Sequence, residues 1–312
     1  MNKELILIGL GRMGAALGAH LVESGYTIHG FDISESARSA ADALGINTHK
    51  TIAAAVHEMN AGHRAIWLMI PSAHVDEVIT TLAETLAKGD TLIDGGNSFF
   101  KDTVRRSSEL SDFGVAYIDC GTSGGVEGAR TGASLMIGGS VEDFEKFEPL
   151  FATLATKNGY GHVGEVGSGH FVKMVHNGIE YGMMGAIAEG INVLHDHKEG
   201  LNINILEALK PFEHGSIIES SLISWLVDSY KVEGYLEHIA GKVPVGETEM
   251  EMEYLIENEN VHVLQAAVQQ RKLTRTTPSF IGTLISAMRN QFGGHKTNKT
   301  TSETSNHAYK HN

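Results

Sequence analysis

The sequence predicts an α/β protein, a Rossmann-like doubly wound parallel sheet followed by an all-α C-terminal domain. Three observations carry that prediction. Short apolar runs alternate with helical stretches through the first half, the first run ends in a glycine-rich turn, and strand signals stop near residue 165. The expected organisation is a dinucleotide-binding domain over 1–165, a helical substrate and oligomerisation domain over 166–295, and a polar, aperiodic tail over 296–312 that reads as disordered.

The elements follow in order. Leu5 to Ile8 is an apolar run of the kind that forms a parallel strand covered on both faces. It leads directly into Gly9-Leu10-Gly11-Arg12-Met13-Gly14, a G-x-G-x-x-G turn opening a helix. In such a turn the first glycine permits the bend, the second lets the backbone approach a pyrophosphate, and the third lets the helix pack on the strand. The unpaired N–H groups at the helix start then face negative phosphates. A glycine-rich turn alone is weak evidence, since unrelated α/β folds use it for packing. This one is followed by a second strand, "YTIHGFD", ending in Asp32, 18 residues after Gly14. That offset suits a carboxylate binding ribose hydroxyls, and a carboxylate there repels a 2′-phosphate, so NAD is expected over NADP. Arg38 is the nearest following arginine.

"AIWLMIP" from Ala65 and "DTLIDGGN" from Asp90 are further strands, with the helical stretch "HVDEVITTLAETLAKG" between them, and "VAYIDCGTSGG" repeats the arrangement from Val115. Ligands on doubly wound sheets bind at the carboxyl ends of the strands, where "IPSA", "GGNS" and "GTSGG" fall. Ile70, Pro71 and Asn97 therefore join Gly9, Leu10, Gly11, Arg12, Met13, Gly14 and Asp32 as expected cofactor contacts.

From Phe171 to about His197 the chain suits one long helix carrying Lys173, His176, Asn177 and Glu180. At i, i+3, i+4 and i+7 these share one face, and that face is ionisable where a core-facing stripe would be apolar. A partly desolvated lysine near other cations serves as a base, an asparagine orients a hydroxyl and a carboxylate, and a glutamic acid one turn on delivers a proton. A solvated face with Lys/Glu pairing is the competing reading. Beyond the helix, "NINILEALKPF", "SSLISWLVDSYKVEGYLEHIA" and "IENENVHVLQAAVQQR" keep helical periodicity.

Bulk properties narrow the function classes. A formal charge of −14 without a basic stripe disfavours nucleic acid, and no apolar run is long enough to span a membrane or resemble a signal peptide. A cytoplasmic location is expected. Cys120 is the only cysteine, so an intrachain disulfide is excluded, and a lone cysteine is ordinarily a small buried thiol. His195-Asp196-His197 does not suggest a metal site, because i and i+2 diverge on a helix. Trp67 and Trp225 lie in apolar runs and read as core.

"DGGNSFFKDTVRR", "GTSGGVEGARTGASLMIGG", "GHFVKMVHNGIEYGMM" and "RNQFGGH" together resemble the decarboxylating 6-phosphogluconate dehydrogenases, in their short NAD-type form within the β-hydroxyacid dehydrogenases. The resemblance runs in order from Gly9 to His295 and implies oxidation of 6-phosphogluconate to ribulose 5-phosphate and CO2, a reaction of the pentose phosphate pathway, without a metal. It implies that Lys173 is the general base at the C3 hydroxyl and Glu180 the acid that protonates C1. Ser123, Gly124 and Gly125 match the substrate loop, and Asn97, His176 and Asn177 match residues that orient substrate and nicotinamide. Tyr181, Arg271 and Arg289 match phosphate contacts, and His295 a C-terminal substrate contact. In the family Arg289 and His295 come from a neighbouring subunit, which implies a homodimer or homotetramer acting on a small anionic sugar acid. The family's G-x-G-[KR]-W-T segment is replaced by "GKVPVGETEMEMEY", in which Lys242 and Thr248 are the candidates to substitute. Two other readings stay open: a β-hydroxyacid dehydrogenase that does not decarboxylate, and a non-catalytic dinucleotide sensor.

Overall fold

The computed structural model describes residues 3–60, 64–246, 248–294 and 297. The tail expected over 296–312 lies outside the described residues except for Thr297, and His295 lies outside them too. The chain divides into two compact units, Met1–Val175 and His176–Asn312, each with its own apolar core.

In the first unit eight strands form one sheet: β1 (Glu4–Ile8), β2 (Thr27–Phe31), β3 (Asn47–His49), β4 (Ala65–Leu68), β5 (Thr91–Asp94), β6 (Ala116–Ser123), β7 (Ala133–Gly138) and β8 (Ala155–Gly164). Their spatial order is β3-β2-β1-β4-β5-β6-β7-β8, and only the β6–β7 pair is antiparallel. The connecting helices are α1 (Arg12–Glu23), α2 (Glu35–Asp42), α3 (Ile52–His57), α4 (Val75–Ala83), α5 (Phe100–Ser111), α6 (Gly125–Thr131) and α7 (Val141–Leu154).

The apolar runs read as strands because both faces of the sheet are covered. Leu5, Leu7, Trp67 and Ile93 fill one core, while Ile6, Ile8, Ile66, Leu68 and Leu92 fill the other. Successive side chains alternate between the two, so every position is apolar. Trp67 is fully buried, as is Cys120, whose thiol burial pushes up out of the reactive range. Register places Ile8 opposite Leu68, Leu68 opposite Asp94 and Asp94 opposite Asp119, so the carboxyl ends of β1, β4, β5 and β6 lie side by side.

Helix α8 (Ser168–Leu201) starts three residues before the expected Phe171 and runs unbroken to Leu201. The two compact units part inside it, at Val175/His176. Its first turns belong with the sheet because the Asp119 carboxylate accepts the N–H groups of Gly167 and His170.

The second unit continues with α9 (Ile205–Glu213), α10 (Ser221–Lys231), α11 (Glu249–Asn258), α12 (His262–Thr276) and α13 (Phe280–Gly293). Met184, Ala188 and Ile191 of α8 pack with Leu209, Leu226, Leu284 and Met288, and Trp225 lies against this core. Side-chain oxygens of Asn204, Ser220 and Ser279 accept the open N–H groups at the starts of α9, α10 and α13. His195 Nε2 accepts a hydrogen bond from Lys198 Nζ at 3.1 Å. Among the described residues no three His, Cys, Asp or Glu side chains group to hold a metal ion, and no helix is long and apolar enough to cross a membrane.

Candidate active site

In the first unit the glycine turn is built for a ligand as well as for packing. Gly9 has φ +98°, a left-handed conformation that side chains resist, and its N–H donates to Phe31 O at 2.8 Å. A Cβ on Gly14 would collide with the Gly9 carbonyl, so that glycine serves the contact between turn and helix. Gly11 differs: a Cβ there meets no described atom within 4 Å. Nothing in the protein demands glycine at 11, and the open space before it is what a pyrophosphate needs. The first turn of α1 carries no acidic residue, so its positive end is left for an anion.

Asp32 closes this site. Its carboxylate accepts the N–H groups of Leu10 and Ser34, each at 2.8 Å, which ties the end of β2 to the glycine turn. Arg38 reaches the Asp32 carbonyl at 2.7 Å and so holds backbone beside the carboxylate. A methyl carbon of Ile70 would lie 2.8 Å from a Cβ on Gly9, and Ile70 O 2.8 Å from one on Gly96. The glycine turn, Ile70-Pro71 and the loop carrying Asn97 are therefore neighbours, as the strand order requires.

The Asn97 loop is braced from beneath by an acid that sequence reading passed over. Asp94 is fully buried and accepts from Gly96 N at 3.1 Å, Ser98 Oγ at 2.7 Å and Tyr117 Oη at 2.9 Å. Arg106 lies 3.8 Å from the same carboxylate and pairs with Asp76 at 2.9 Å. At the end of β6 the Ser123 loop turns through Gly124 and Gly125, both at positive φ. Lys173 on α8 is half-buried, and its Cβ would stand 2.6 Å from a Cβ on Gly121, so the lysine stem rises directly off the strand leading into that loop.

The second unit gathers the remaining expected residues. His176 Nδ1 lies 3.3 Å from the side-chain oxygen of the buried Asn177. Glu180 follows on the same helix. Tyr181 is buried and its hydroxyl lies 3.0 Å from Thr248 Oγ1. The Arg271 guanidinium sits 3.3 Å over the Tyr181 ring, and Arg289 donates to Pro244 O at 2.8 Å. The position that a Cβ would fill on Gly246 lies 3.0 Å from an Arg289 nitrogen, 3.6 Å from Tyr181 Oη and 3.9 Å from Thr248 Oγ1. A cation and two hydroxyls thus converge on Gly246, close enough that a side chain there would crowd the guanidinium.

The charges there are unbalanced. Arg271 and Arg289 are 3% and 6% exposed, and among the described residues neither has a carboxylate ion pair. Burial lowers the pKa of both, Arg271 to about 10, with repulsion from Arg289 adding to the effect on Arg271 and repulsion from Arg275 to that on Arg289. Of the nearby acids, Glu180 favours the charged form of both, and Glu249 is taken by Arg275, whose guanidinium holds its pKa low. From Glu249 onward the "GETEMEMEY" stretch is helix α11, with Thr248 at its N-cap, so the threonine suggested by the resemblance meets Tyr181 despite the missing tryptophan. Arg289, which the resemblance assigns to a neighbour's site, donates to Pro244 O and lies near Gly246 within its own chain. Gly246, Asp94 and Asp119 are the residues around these groups that sequence alone did not single out.

Two family-level sequence patterns match. The NAD binding domain of 6-phosphogluconate dehydrogenase matches residues 4–166, and the 6-phosphogluconate dehydrogenase C-terminal domain matches residues 169–224. The chain is 37% identical over 295 residues to YqeC of Bacillus subtilis, a protein assigned provisionally as a 6-phosphogluconate dehydrogenase, covering 94% of this chain and 98% of that one. It is 35% identical over 300 residues to a protein of Haloferax volcanii named as an NAD(+)-dependent, decarboxylating 6-phosphogluconate dehydrogenase, again covering 94% and 98%. Among solved structures, a Plasmodium falciparum 6-phosphogluconate dehydrogenase, described with NADP+ and with 6-phosphogluconate, superimposes with a TM-score of 0.78 at 27% identity, covering 88% of this chain and 62% of that one.

Proposed function

This chain belongs to the 6-phosphogluconate dehydrogenase family of oxidoreductases, and on that premise we propose that it oxidises and decarboxylates 6-phosphogluconate to ribulose 5-phosphate with NAD. The observation that carries the substrate reading is the convergence of Arg289, Tyr181 and Thr248 on Gly246, beside the buried Arg271. Two buried guanidiniums without carboxylate partners are costly, and a dianionic phosphate offsets that cost. NAD is favoured over NADP because the Asp32 carboxylate, fixed by two backbone N–H groups, would face a 2′-phosphate.

The chemistry follows from the stripe on α8. Lys173, partly withdrawn from water, takes the proton of the C3 hydroxyl. The bound nicotinamide supplies the hydride acceptor. Protonated Lys173 then hydrogen-bonds the new C3 carbonyl oxygen, which draws in the electron pair released as the C1–C2 bond of the β-keto acid breaks and CO2 leaves. Glu180, seven residues further along the same helix, protonates the former C2 of the resulting enediol, which becomes C1 of ribulose 5-phosphate, and His176 and Asn177 orient the carboxylate and hydroxyls. Asn97 and Ser123 hold the sugar at the strand ends. The family premise also supports a homo-oligomer, with His295 as the residue expected to cross between subunits.

Assaying CO2 and NADH together with 6-phosphogluconate tests the reading, which expects equal yields. NADH without CO2 replaces it with the non-decarboxylating alternative. Lys173→Met is expected to retain NADH binding while turnover falls ~10²–10⁴-fold, the usual contribution of a general base. Unchanged turnover removes Lys173 from the mechanism.

A further inference from the structure

Asp119 is fully buried on β6 and touches none of the groups assigned to substrate or cofactor. We propose that Asp119 is the positioning residue for Lys173, its carboxylate locking the entry of α8 onto the sheet so that the lysine stem leaves the helix at one place. The inference rests on the reading of Lys173 as the base.

Three observations support it. The first is the bonding pattern. One Asp119 oxygen accepts Gly167 N–H at 2.7 Å and the other accepts His170 N–H at 2.8 Å. These are open donors at the start of α8, and a carboxylate accepting from them makes charge-assisted bonds that favour the positive helix end. His170 stands three residues before Lys173, about 4.5 Å along the helix axis at ~1.5 Å per residue.

The second is a set of three glycines whose missing side chains make the clamp possible. None of Gly121, Gly138 and Gly169 occupies the left-handed region, so backbone conformation does not require them. A Cβ on Gly138 would stand 2.5 Å from Asp119 Oδ1 and 2.7 Å from Gly169 N. One on Gly169 would stand 2.7 Å from Asp119 O, and one on Gly121 would press on the Lys173 Cβ at 2.6 Å. Strands β6 and β7 and the helix meet backbone to backbone around this carboxylate. Asp119 and Gly121, two apart on one strand, direct their side-chain positions to the same face, so the clamp and the lysine stem share it.

The third is lateral support. The buried His170 places Nδ1 2.7 Å from Thr103 Oγ1, which ties the same helical turn to α5. Helix entry is thus held from the sheet by Asp119 and from the side by Thr103. A misplacement of about 1 Å in a catalytic group costs ~10²-fold in rate, which sets the scale of what the clamp protects.

Asp119→Asn tests this. The amide keeps the volume but offers only one acceptor to two N–H donors. Turnover is expressed per NADH-binding site, counted by fluorescence titration, so that unfolded protein drops out. The expected result is kcat down ~10–100-fold, with KM for NAD+ within about twofold of wild type and a larger primary isotope effect on 6-phosphogluconate deuterated at C3. A merely structural residue would not raise that isotope effect. Thr103→Val loosens the same turn without touching Asp119 and is expected to move kcat and the isotope effect in the same direction, which decides the matter should Asp119→Asn not fold. Folded Asp119→Asn with unchanged kcat, or losses with no change in isotope effect in either variant, overturns the inference. Lys173→Met beside them separates the two claims: undiminished turnover in that variant sinks the base assignment itself, whereas a dead Lys173→Met beside a fully active Asp119→Asn sinks only the clamp.

Discussion

Gly11→Ala and Gly14→Ala are expected to have opposite effects on stability although both weaken NAD binding. A Cβ on Gly11 meets no described atom within 4 Å, and the backbone there, at φ −63° and ψ −174°, is open to alanine. Removing glycine freedom from the unfolded chain contributes ~0.4–1 kcal/mol of stability. A Cβ on Gly14 meets the Gly9 carbonyl directly, with its carbon at 3.0 Å and the Met69 Cβ at 3.3 Å. The Gly9 contact is backbone and Met69 Cβ moves only with its own backbone, so the chain must shift, an overpacking cost of ~1–3 kcal/mol. At ~2–4 °C per kcal/mol for a unit of this size, apo Gly11→Ala melts level with wild type or up to about 4 °C above it, and Gly14→Ala melts ~2–12 °C lower. Differential scanning fluorimetry with and without NAD+ reads both quantities. In wild type, NAD+ at a hundred times its Kd adds ~2.7 kcal/mol and raises the melting temperature, and Gly11→Ala is expected to lose that rise. A destabilised apo Gly11→Ala, or a Gly11→Ala that keeps the NAD+ shift, refutes the argument that this glycine exists for the ligand.

Arg271→Met removes one charged donor from this cluster and is expected to lower kcat/KM for 6-phosphogluconate ~10–150-fold, the worth of one charge-assisted bond, while the low rate on unphosphorylated gluconate stays level; equal losses on both would disprove phosphate binding there. Asp32→Asn removes the repulsion toward a 2′-phosphate, so the ratio of kcat/KM for NAD+ to NADP+ should fall at least tenfold in parallel initial-rate assays. Stability is expected to decline in acid. Asp76 is held at about 2 by Arg106 and then Arg105, and although burial pushes Asp90 upward, bonding from Arg64 and the amides of Ala87 and Arg64 outweighs it. Both pKa values lie below the ordinary 3.8, so their contribution is complete above about pH 5 and is lost as pH falls toward 2. Urea midpoints across that range should show the fall, and Asp90→Asn should show a shallower one.

The sheet was legible wherever burial on both faces forced an unbroken apolar run, as in β1, β4 and β5. β8 escaped notice because it pairs with β7 mainly through backbone and carries Lys157, Asn158, Gly159 and His162 in place of a run. The three-residue β3 is too short to leave a pattern. The stripe on α8 was visible because ionisable residues at helical spacing contradict a core. Asp94 and Asp119 were invisible for the converse reason: one turns its carboxylate onto a backbone N–H and two hydroxyls, the other onto two backbone N–H groups, and a linear sequence does not tell such an acid from one facing solvent. The same limit applied to Gly246, whose meaning depends on Tyr181, distant in sequence and close in space.

The antiparallel pairing of β6 with β7 sets Ser123 opposite Ser134 and Asp119 opposite Gly138. The segment proposed to face the sugar, Gly124 to Ala133, is consequently a bracket with both feet on one ladder, unlike a crossover that must travel to the far side of the sheet. Such a bracket can be transplanted. Grafting the equivalent stretch from a relative with another substrate would leave strand register and the dinucleotide turn untouched, which makes this segment the natural unit for re-engineering acid preference.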